Sequence, residues 1–534
     1  MADRPNIVVI MTDQQRADVS AREGFPLDTT PFLDQLARQG QWFDHAYTAV
    51  PVCAPARVSF LTGRFPSAHR VRENRGTVCA TYERDLIDVV HSQGYRAGMI
   101  GKNHSHLQRE RLDHWFPLGH LGGYEPRRDA RLFRQRYSDR ELNPEFLRLI
   151  DRLAAQPEPD PAEDRRTADE REFDLWMAEL PNRFSPEPTP FPVECQGPYR
   201  AVSDAEEWIS SLGDQPFFLW LSFAEPHNPY QVPEPYYSRF PPEALPANRA
   251  DLNALASKGF KFEWTHRLGA TAFPGYDASL PRARANYFGM LGLIDDQVRR
   301  FVEFLERQGL RENTLLVFVS DHGDFVGEYG LLRKGPEVPE VLMRVPLFVV
   351  GPGVPANADP HPAHVSLVDL LPTFCDMLGV SLPRGVQGRS LWPLLTGADY
   401  PADEFASVYA EQGFGGLHYT DADEPSIEHC LNPSPKGGSF DELNTYSQSG
   451  TMRMLRKGDW KLAMDMQGRG QLYNLANDPC ELDNLYGKSE YARTERELLA
   501  ELLAWTLRTA DPLPYPKDKY IMKTDQRNYW APYR

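Results

Sequence analysis

The sequence predicts an α/β fold with a mostly parallel central sheet flanked by helices, followed by a smaller C-terminal α+β domain. Three observations carry this. Apolar runs of strand length alternate with helical stretches through the first two thirds of the chain. The residue types that carry chemistry, Asp13, Lys102, His104, His227 and Asp321, follow those runs, and ligands of parallel sheets bind beyond the carboxyl ends of the strands. From about Ala402 the alternation gives way to hairpin patterning and one closing helix.

Element by element, Asn6–Thr12 is a buried strand, and residues 30–39 have helical spacing closed by Gly40 as a C-cap. Residues 85–93 repeat that arrangement with Gly94 and lead into a strand over 95–100. Helical stretches at 203–212 and 283–308 precede the strands Phe217–Ser222 and 315–320. Between 122 and 198 the sequence turns rich in Arg, Asp, Glu and Pro, which predicts a solvated insertion with an amphipathic helix or two. Residues 413–440 read as a long loop, 451–472 as a hairpin, 493–507 as a helix and 511–534 as a tail without helical period. The expected organisation is a main domain over 1–400, a smaller one over 401–510, and the tail.

Composition narrows the functional classes. With 41% hydrophobic and 25% charged residues, the 534-residue chain falls in the soluble globular class. A formal net charge of -17 argues against nucleic acid or an anionic membrane as partner, so any anionic substrate must meet a local cluster of cations. The opening apolar run is too short for a signal-peptide core or a membrane span, which predicts a cytoplasmic protein. Cys53, Cys79, Cys195, Cys375, Cys430 and Cys480 show no C-x-x-C spacing, and no disulfide framework is expected.

The most informative segment is Cys53-Ala54-Pro55-Ala56-Arg57, continued as Ser59-Phe60-Leu61-Thr62-Gly63-Arg64. Pro55 suits the first turn of a helix, so Cys53 stands at or just before a helix N-terminus, where free amides and the helix dipole favour an anion. Arg57 lies one turn along. A lone Asp after a strand is usually a turn residue. Here Asp13-Gln14 and Asp321-His322-Gly323 both follow strands, and together with the C-x-P-x-R segment they resemble the metal cradle of the alkaline phosphatase superfamily, in its type I, formylglycine-dependent sulfatase branch. The resemblance spans nearly the whole chain. Gly101-Lys102-Asn103-His104 is similar to the family's G-K-x-H, and Pro226-His227-Asn228-Pro229 to its P-H-x-P. Lys334-Gly335, Glu340 and Arg344-Val345-Pro346 resemble its K-G, E and R-V-P run, and Gln471-Leu472-Tyr473-Asn474-Leu475 with Asp478-Pro479 resembles its closing motif.

The resemblance implies sulfate ester hydrolysis. Cys53 would be oxidised by a formylglycine-generating enzyme to an aldehyde whose hydrate offers one oxygen to attack a sulfate ester and another to expel the sulfate. Asp13, Gln14, Asp321 and His322, with the residue made from Cys53, would bind one divalent cation. Arg57, Lys102 and Lys334 would surround the sulfate, and His227 or Lys334 would assist the leaving alcohol. His104 would take a proton from the second hydroxyl of the hydrate. Asn74 is a candidate for substrate contact. Many sulfatases carry Asp where this chain has Gln14 and Asn where it has His322, so manganese joins calcium as a candidate ion.

Two other readings compete. One is a phosphonate monoester or phosphodiester hydrolase with the same nucleophile, and the other is a catalytically silent binding protein of the same fold. Lys102 and His104 favour the sulfatase, because the phosphonate hydrolases tend to lack that basic pair. The expected substrate is a sulfated small molecule or oligosaccharide, with a sugar sulfate preferred by analogy. Tyr515, Tyr520, Tyr529, Trp530 and Tyr533 make the tail more aromatic than a free segment, which together with the resemblance predicts a homo-oligomer.

Overall fold

The computed structural model describes residues 4–74, 76–118, 151, 165–180, 184–273, 275–413, 431–432, 439–440, 450–510 and 526–530. Its main sheet is built from β1 (Asn6–Thr12), β2 (Gln41–Phe43), β4 (Arg96–Gly101), β5 (His114–Pro117), β6 (Phe217–Ser222), β7 (Thr314–Ser320) and β8 (Leu347–Val350). Two-residue ladders join β3 (Ala46–Tyr47) to β9 (Val365–Ser366) and β11 (Leu431–Asn432) to β12 (Ser439–Phe440). The main sheet has the order β2-β8-β7-β1-β6-β4-β5. β1 lies parallel between β6 and β7, and β4 runs parallel to β6 and β5. Only β8 opposes this direction within the main sheet, as it pairs antiparallel with both β7 and β2.

The apolar strands are buried because both faces of the sheet are covered. On one face Val8, Ile10, Leu219 and Phe318 pack with the helices Gly197–Ser211 and Tyr276–Arg307. On the other, Ile7, Val9, Met11 and Trp220 pack with Phe60 and Leu61 of the helix Cys53–Thr62 and with Val89 and Val90 of Leu86–Ser92. β1 and β6 have the bounds expected from sequence, whereas both long helices start earlier than expected. A proline sits near the start of each, Pro198 in the first turn of one and Pro281 early in the other, where a missing N–H costs little or only one bond.

The C-terminal sheet is antiparallel, with β10 (Ser407–Gln412), β13 (Met452–Lys457), β14 (Trp460–Asp465) and β15 (Gly470–Asn474) in that order. The helix Ala492–Thr509 covers it through Leu498, Leu502 and Trp505, and the Trp505 ring stacks on Tyr409 with centroids 5.9 Å apart. Of the insertion, the described part includes a helix, Ala168–Glu179, that opens on a Thr167/Glu170 capping box and buries Phe173 and Met177. The expected long loop lies mostly outside the described residues.

The described end of the tail packs on its own chain. Tyr529 is buried edge-on against Phe405, its hydroxyl donates to Ser390 O at 2.6 Å, and Trp530 N donates to Glu404. Tyr529 is therefore covered by its own chain; Tyr515, Tyr520 and Tyr533 lie outside the described residues. Cys53, Cys79, Cys195, Cys375 and Cys480 are free thiols. Among the described residues no helix is long and apolar enough to cross a membrane.

Candidate active site

Strand register brings the candidate residues to one level. Thr12 pairs with Ser320, and both Met11 and Gly101 pair with Ser222, so the chain leaves β1, β4, β6 and β7 side by side. Asp13, Lys102 and Asp321 are the first residues beyond β1, β4 and β7, and His227 follows β6 by a short loop. The helix Cys53–Thr62, buried along its whole length, starts at Cys53. Gly101 has φ 96, and a Cβ there would meet Ser222 O at 1.9 Å, so only glycine lets Lys102 turn out of the sheet at this point.

The donor atoms of Asp13, Cys53, Asp321 and His322 all lie within 4.8 Å of one another, and all four residues are buried. Cys53 Sγ, which stands where the oxygens of formylglycine would be, is 3.6 Å from Asp13 Oδ1 and 3.1 Å from His322 Nε2. His322 Nδ1 lies 2.8 Å from Gly323 O, a contact that assigns the proton to Nδ1 and turns Nε2 toward the cradle. A Cβ at Gly323 would meet Val341 O at 1.9 Å, so this turn too requires glycine. Gln14 joins the cradle through its backbone N, which donates to Asp321 Oδ1 at 3.1 Å, and its Oε1 accepts from Lys334 Nζ at 2.7 Å. Two carboxylates and an imidazole nitrogen beside Cys53 form a donor set that fits one divalent cation.

Three buried cations surround this cradle. Arg57 Nε donates to Asp321 Oδ2 at 2.8 Å and its Nη2 to Asp13 Oδ2 at 3.1 Å, while Nη1 reaches Lys102 O and Ser222 Oγ, each at 2.7 Å. Its guanidinium thus binds the carboxylates and two strand ends at once; contact with a sulfate, as expected from sequence, would have to share these bonds. Lys102 forms an ion pair with Asp13. Burial works against the Asp13 carboxylate, but the Lys102 and Arg57 cations hold it well below the usual range. Lys334, 1% exposed, lies 3.1 Å from His227 Nε2, and His227 Nδ1 is 2.5 Å from Asn228 O. Because an ammonium only donates, His227 Nε2 accepts and Nδ1 carries the proton.

His104 is half-buried with φ 42, a left-handed conformation that costs a non-glycine residue about 1–3 kcal/mol. Its loop is shaped by Ser105 Oγ donating to Asn103 Oδ1 at 2.6 Å and by Asn103 Nδ2 donating to Leu107 O at 3.0 Å. Burial, with Lys102 and Arg57, pushes its pKa well below the ordinary histidine value, so the ring is a neutral base near pH 7. Asn74 Oδ1 accepts from Ala54 N at 3.0 Å and so closes the first turn of the Cys53 helix.

Sequence reasoning missed four supporting residues. Ser222 holds Arg57, Glu225 O accepts from Asp13 N at 3.2 Å, and Asp324 and Tyr230 meet behind Gln14. Burial pushes the Glu225 carboxyl up to about 7. The nearest signals were position alone: Ser222 ends a strand, Asp324 follows Asp321-His322-Gly323, and Tyr230 follows Pro226-His227-Asn228-Pro229.

Comparison with known proteins agrees with this geometry. An arylsulfatase from Clostridium perfringens is 28% identical over 91% of this chain and 91% of its own length. An N-acetylglucosamine-6-O-sulfatase from Bacteroides thetaiotaomicron is 24% identical over 98% of this chain and 90% of its own. Among solved structures, a phosphonate monoester hydrolase of Agrobacterium radiobacter superposes with a TM-score of 0.71 at 22% identity, covering 95% of this chain and 96% of that one, which shows the shared alkaline-phosphatase-like fold. The family model named Sulfatase matches residues 5–160 and 173–380. With Cys53, two carboxylates and a histidine gathered at the ends of the strands that this model covers, the chain belongs to the sulfatase family and is a sulfuric ester hydrolase.

Proposed function

We propose that the protein hydrolyses the sulfate ester of a sulfated carbohydrate. The observation that supports this most is the pairing of Lys102 and His104 beyond β4, a cation and a neutral base beside the Cys53 cradle. The N-acetylglucosamine-6-O-sulfatase relative supports the carbohydrate as the alcohol. Formylglycine made at Cys53 would supply the attacking hydroxyl, and a divalent cation held by Asp13, Gln14, Asp321 and His322 would supply Lewis acidity toward the sulfate.

The chain's own residues do the rest. Arg57 acts through the carboxylates it binds, holding Asp13 and Asp321 in place. Lys102 and Lys334 offset the negative charge that builds on the sulfate in the transition state. Lys334 Nζ and His227 Nε2 share one proton position 3.1 Å apart, from which a proton passes to the departing sugar oxygen. His104, neutral at pH 7, takes the proton of the hydroxyl that remains as the carbon–oxygen bond to sulfate breaks, which releases sulfate and restores the aldehyde. Asn74 keeps the N-terminus of the Cys53 helix closed beside the reacting atoms.

The reading includes calcium or manganese as the ion, a formylglycine-generating enzyme as partner during maturation, a cytoplasmic location and a homo-oligomer. The mixed oxygen and nitrogen donors support manganese alongside calcium. A panel of sulfated monosaccharides, aryl sulfates, choline sulfate and phenyl phosphonates, assayed with the matured enzyme, tests the substrate. Highest kcat/KM for a sulfated sugar is expected; a higher value for a phenyl phosphonate than for every sulfate ester would reverse the assignment to a phosphonate hydrolase.

A further inference from the structure

The Gln14 side chain is held at both ends by partners of fixed polarity. Lys334 Nζ, which can only donate, reaches Oε1 at 2.7 Å, and Asp324 Oδ2 accepts from Nε2 at 2.7 Å. The amide direction therefore follows from chemistry. Gln14 itself sits at φ 67, a left-handed backbone that brings its side chain back over the strand end.

Asp324 is fully buried and accepts at every position. Tyr230 Oη donates to the same Oδ2 at 2.7 Å, and Val326 N and Arg333 N each donate to Oδ1 at 2.8 Å. Tyr230 Oη in turn accepts from Arg333 N at 2.9 Å, so its own proton is committed to Asp324. One carboxylate thus ties the loop after β1, which carries Gln14, to the residue that precedes Lys334.

We propose that Asp324 is a positioning residue that fixes the direction of the Gln14 amide, so that its carbonyl oxygen and never its NH2 faces the cation cradle and Lys334. The inference rests on the metal reading given under Proposed function. An unanchored glutamine could turn its NH2 inward, replacing a ligand oxygen with a donor that repels both the cation and the Lys334 ammonium.

The test uses the full chain in four forms: wild type, D324N, Q14E and D324N/Q14E. Each is stripped of metal and titrated with Mn²⁺ alone and with Ca²⁺ alone by calorimetry, with thermal unfolding of the metal-free proteins alongside. With Gln14 present, D324N keeps its oxygen on the fixed backbone donors Val326 N and Arg333 N and so sets its NH2 against that of Gln14, and affinity should fall about ten- to hundredfold. On the Q14E background the same D324N should raise affinity, because it replaces two opposed carboxylates with a carboxylate and a donor. Thermal unfolding should show the same reversal of sign, which covers the case in which D324N alone folds poorly. A loss of similar size on both backgrounds, or no loss on either, would overturn the role of Asp324. A wild-type chain that takes up neither ion would instead remove the metal reading, and this inference with it.

Discussion

Two sets of residues reach the active site by different routes. Asp13, Lys102, His227 and Asp321 leave the ends of buried parallel strands, and their places follow from strand register. Lys334 sits on the loop 333–340, which is held from outside by the C-terminal sheet. Lys461 of β14, 1% exposed, donates to Val338 O at 2.5 Å and pairs with Glu481 at 2.8 Å and Glu340 at 3.3 Å. Gln471 of β15 donates to Glu337 at 2.7 Å, and Tyr47 Oη donates to Glu340 Oε1 at 2.6 Å. The first set is fixed by the sheet that builds the fold, while the second depends on a buried ionic network between two sheets. Damage to the first should remove chemistry outright, and damage to the second should loosen one cation.

The strongest test of the strand-end set is Cys53→Ala. It removes the residue that becomes the nucleophile but leaves a small side chain in a buried helix, so activity should fall about ten-thousandfold or more with little change in Tm. Mass spectrometry of the Cys53 peptide should show the aldehyde in active enzyme; fully active protein with only thiol at Cys53 would refute the mechanism. Asp321→Asn should lower metal occupancy and kcat together, the latter about a hundredfold. Full turnover after exhaustive chelation would reduce the carboxylates to a structural role.

Lys461→Met tests the outside route. It removes the buried cation that pairs with both Glu340 and Glu481, which should cost about 3 kcal/mol of stability. If the network positions Lys334, the folded variant should also lose about tenfold in kcat with a smaller change in KM. A variant that is less stable but turns over normally per folded molecule would show that loop 333–340 holds Lys334 by itself.

The same contrast explains what could be read in the sequence. β1 and β6 were legible to the residue because a strand buried on both faces is a continuous apolar run. Asp13 and Asp321 were legible by their places directly after such runs, and Cys53 by the C-x-P-x-R segment through which the chain resembles the sulfatases. The Lys461 network was not, since its residues come from three distant segments and no local pattern marks a buried lysine. Asp324 and Tyr230 escaped for a related reason: their roles lie in two hydrogen bonds that meet on one oxygen, a convergence that only the folded chain creates. The left-handed turns at Gln14 and His104 were equally hidden, because sequence signals that conformation only at glycine and, more weakly, at asparagine or aspartate.

A subtler expectation concerns pH. His104 must be neutral to act as a base, and burial with Lys102 and Arg57 lowers its pKa well below the ordinary value. Protonation as pH falls should therefore cut kcat only below the usual histidine range near about 6.5. An acid limb of kcat that lies at or above that range, and that disappears with His104→Ala, would mean that the cations around His104 are more solvated than the buried geometry implies.

The smallest effect expected is at Tyr529, where the end of the chain is fastened to the segments around Val380 and Ser390. The ring is buried against Phe405 and the hydroxyl donates to Ser390 O, so Tyr529→Phe keeps the packing and leaves one buried carbonyl without this donor. Such a loss costs about 1–2 kcal/mol. Gln526–Trp530 bond to Val380, Asp376, Val386, Gly388, Ser390 and Glu404. Tm should therefore fall while kcat and KM stay at wild-type values, in contrast to Lys461→Met, where both should change. If Tyr529→Phe altered kcat as well, the fastening of the tail would have to reach the site through the segment that carries Ser390, and the division between the two routes would fail.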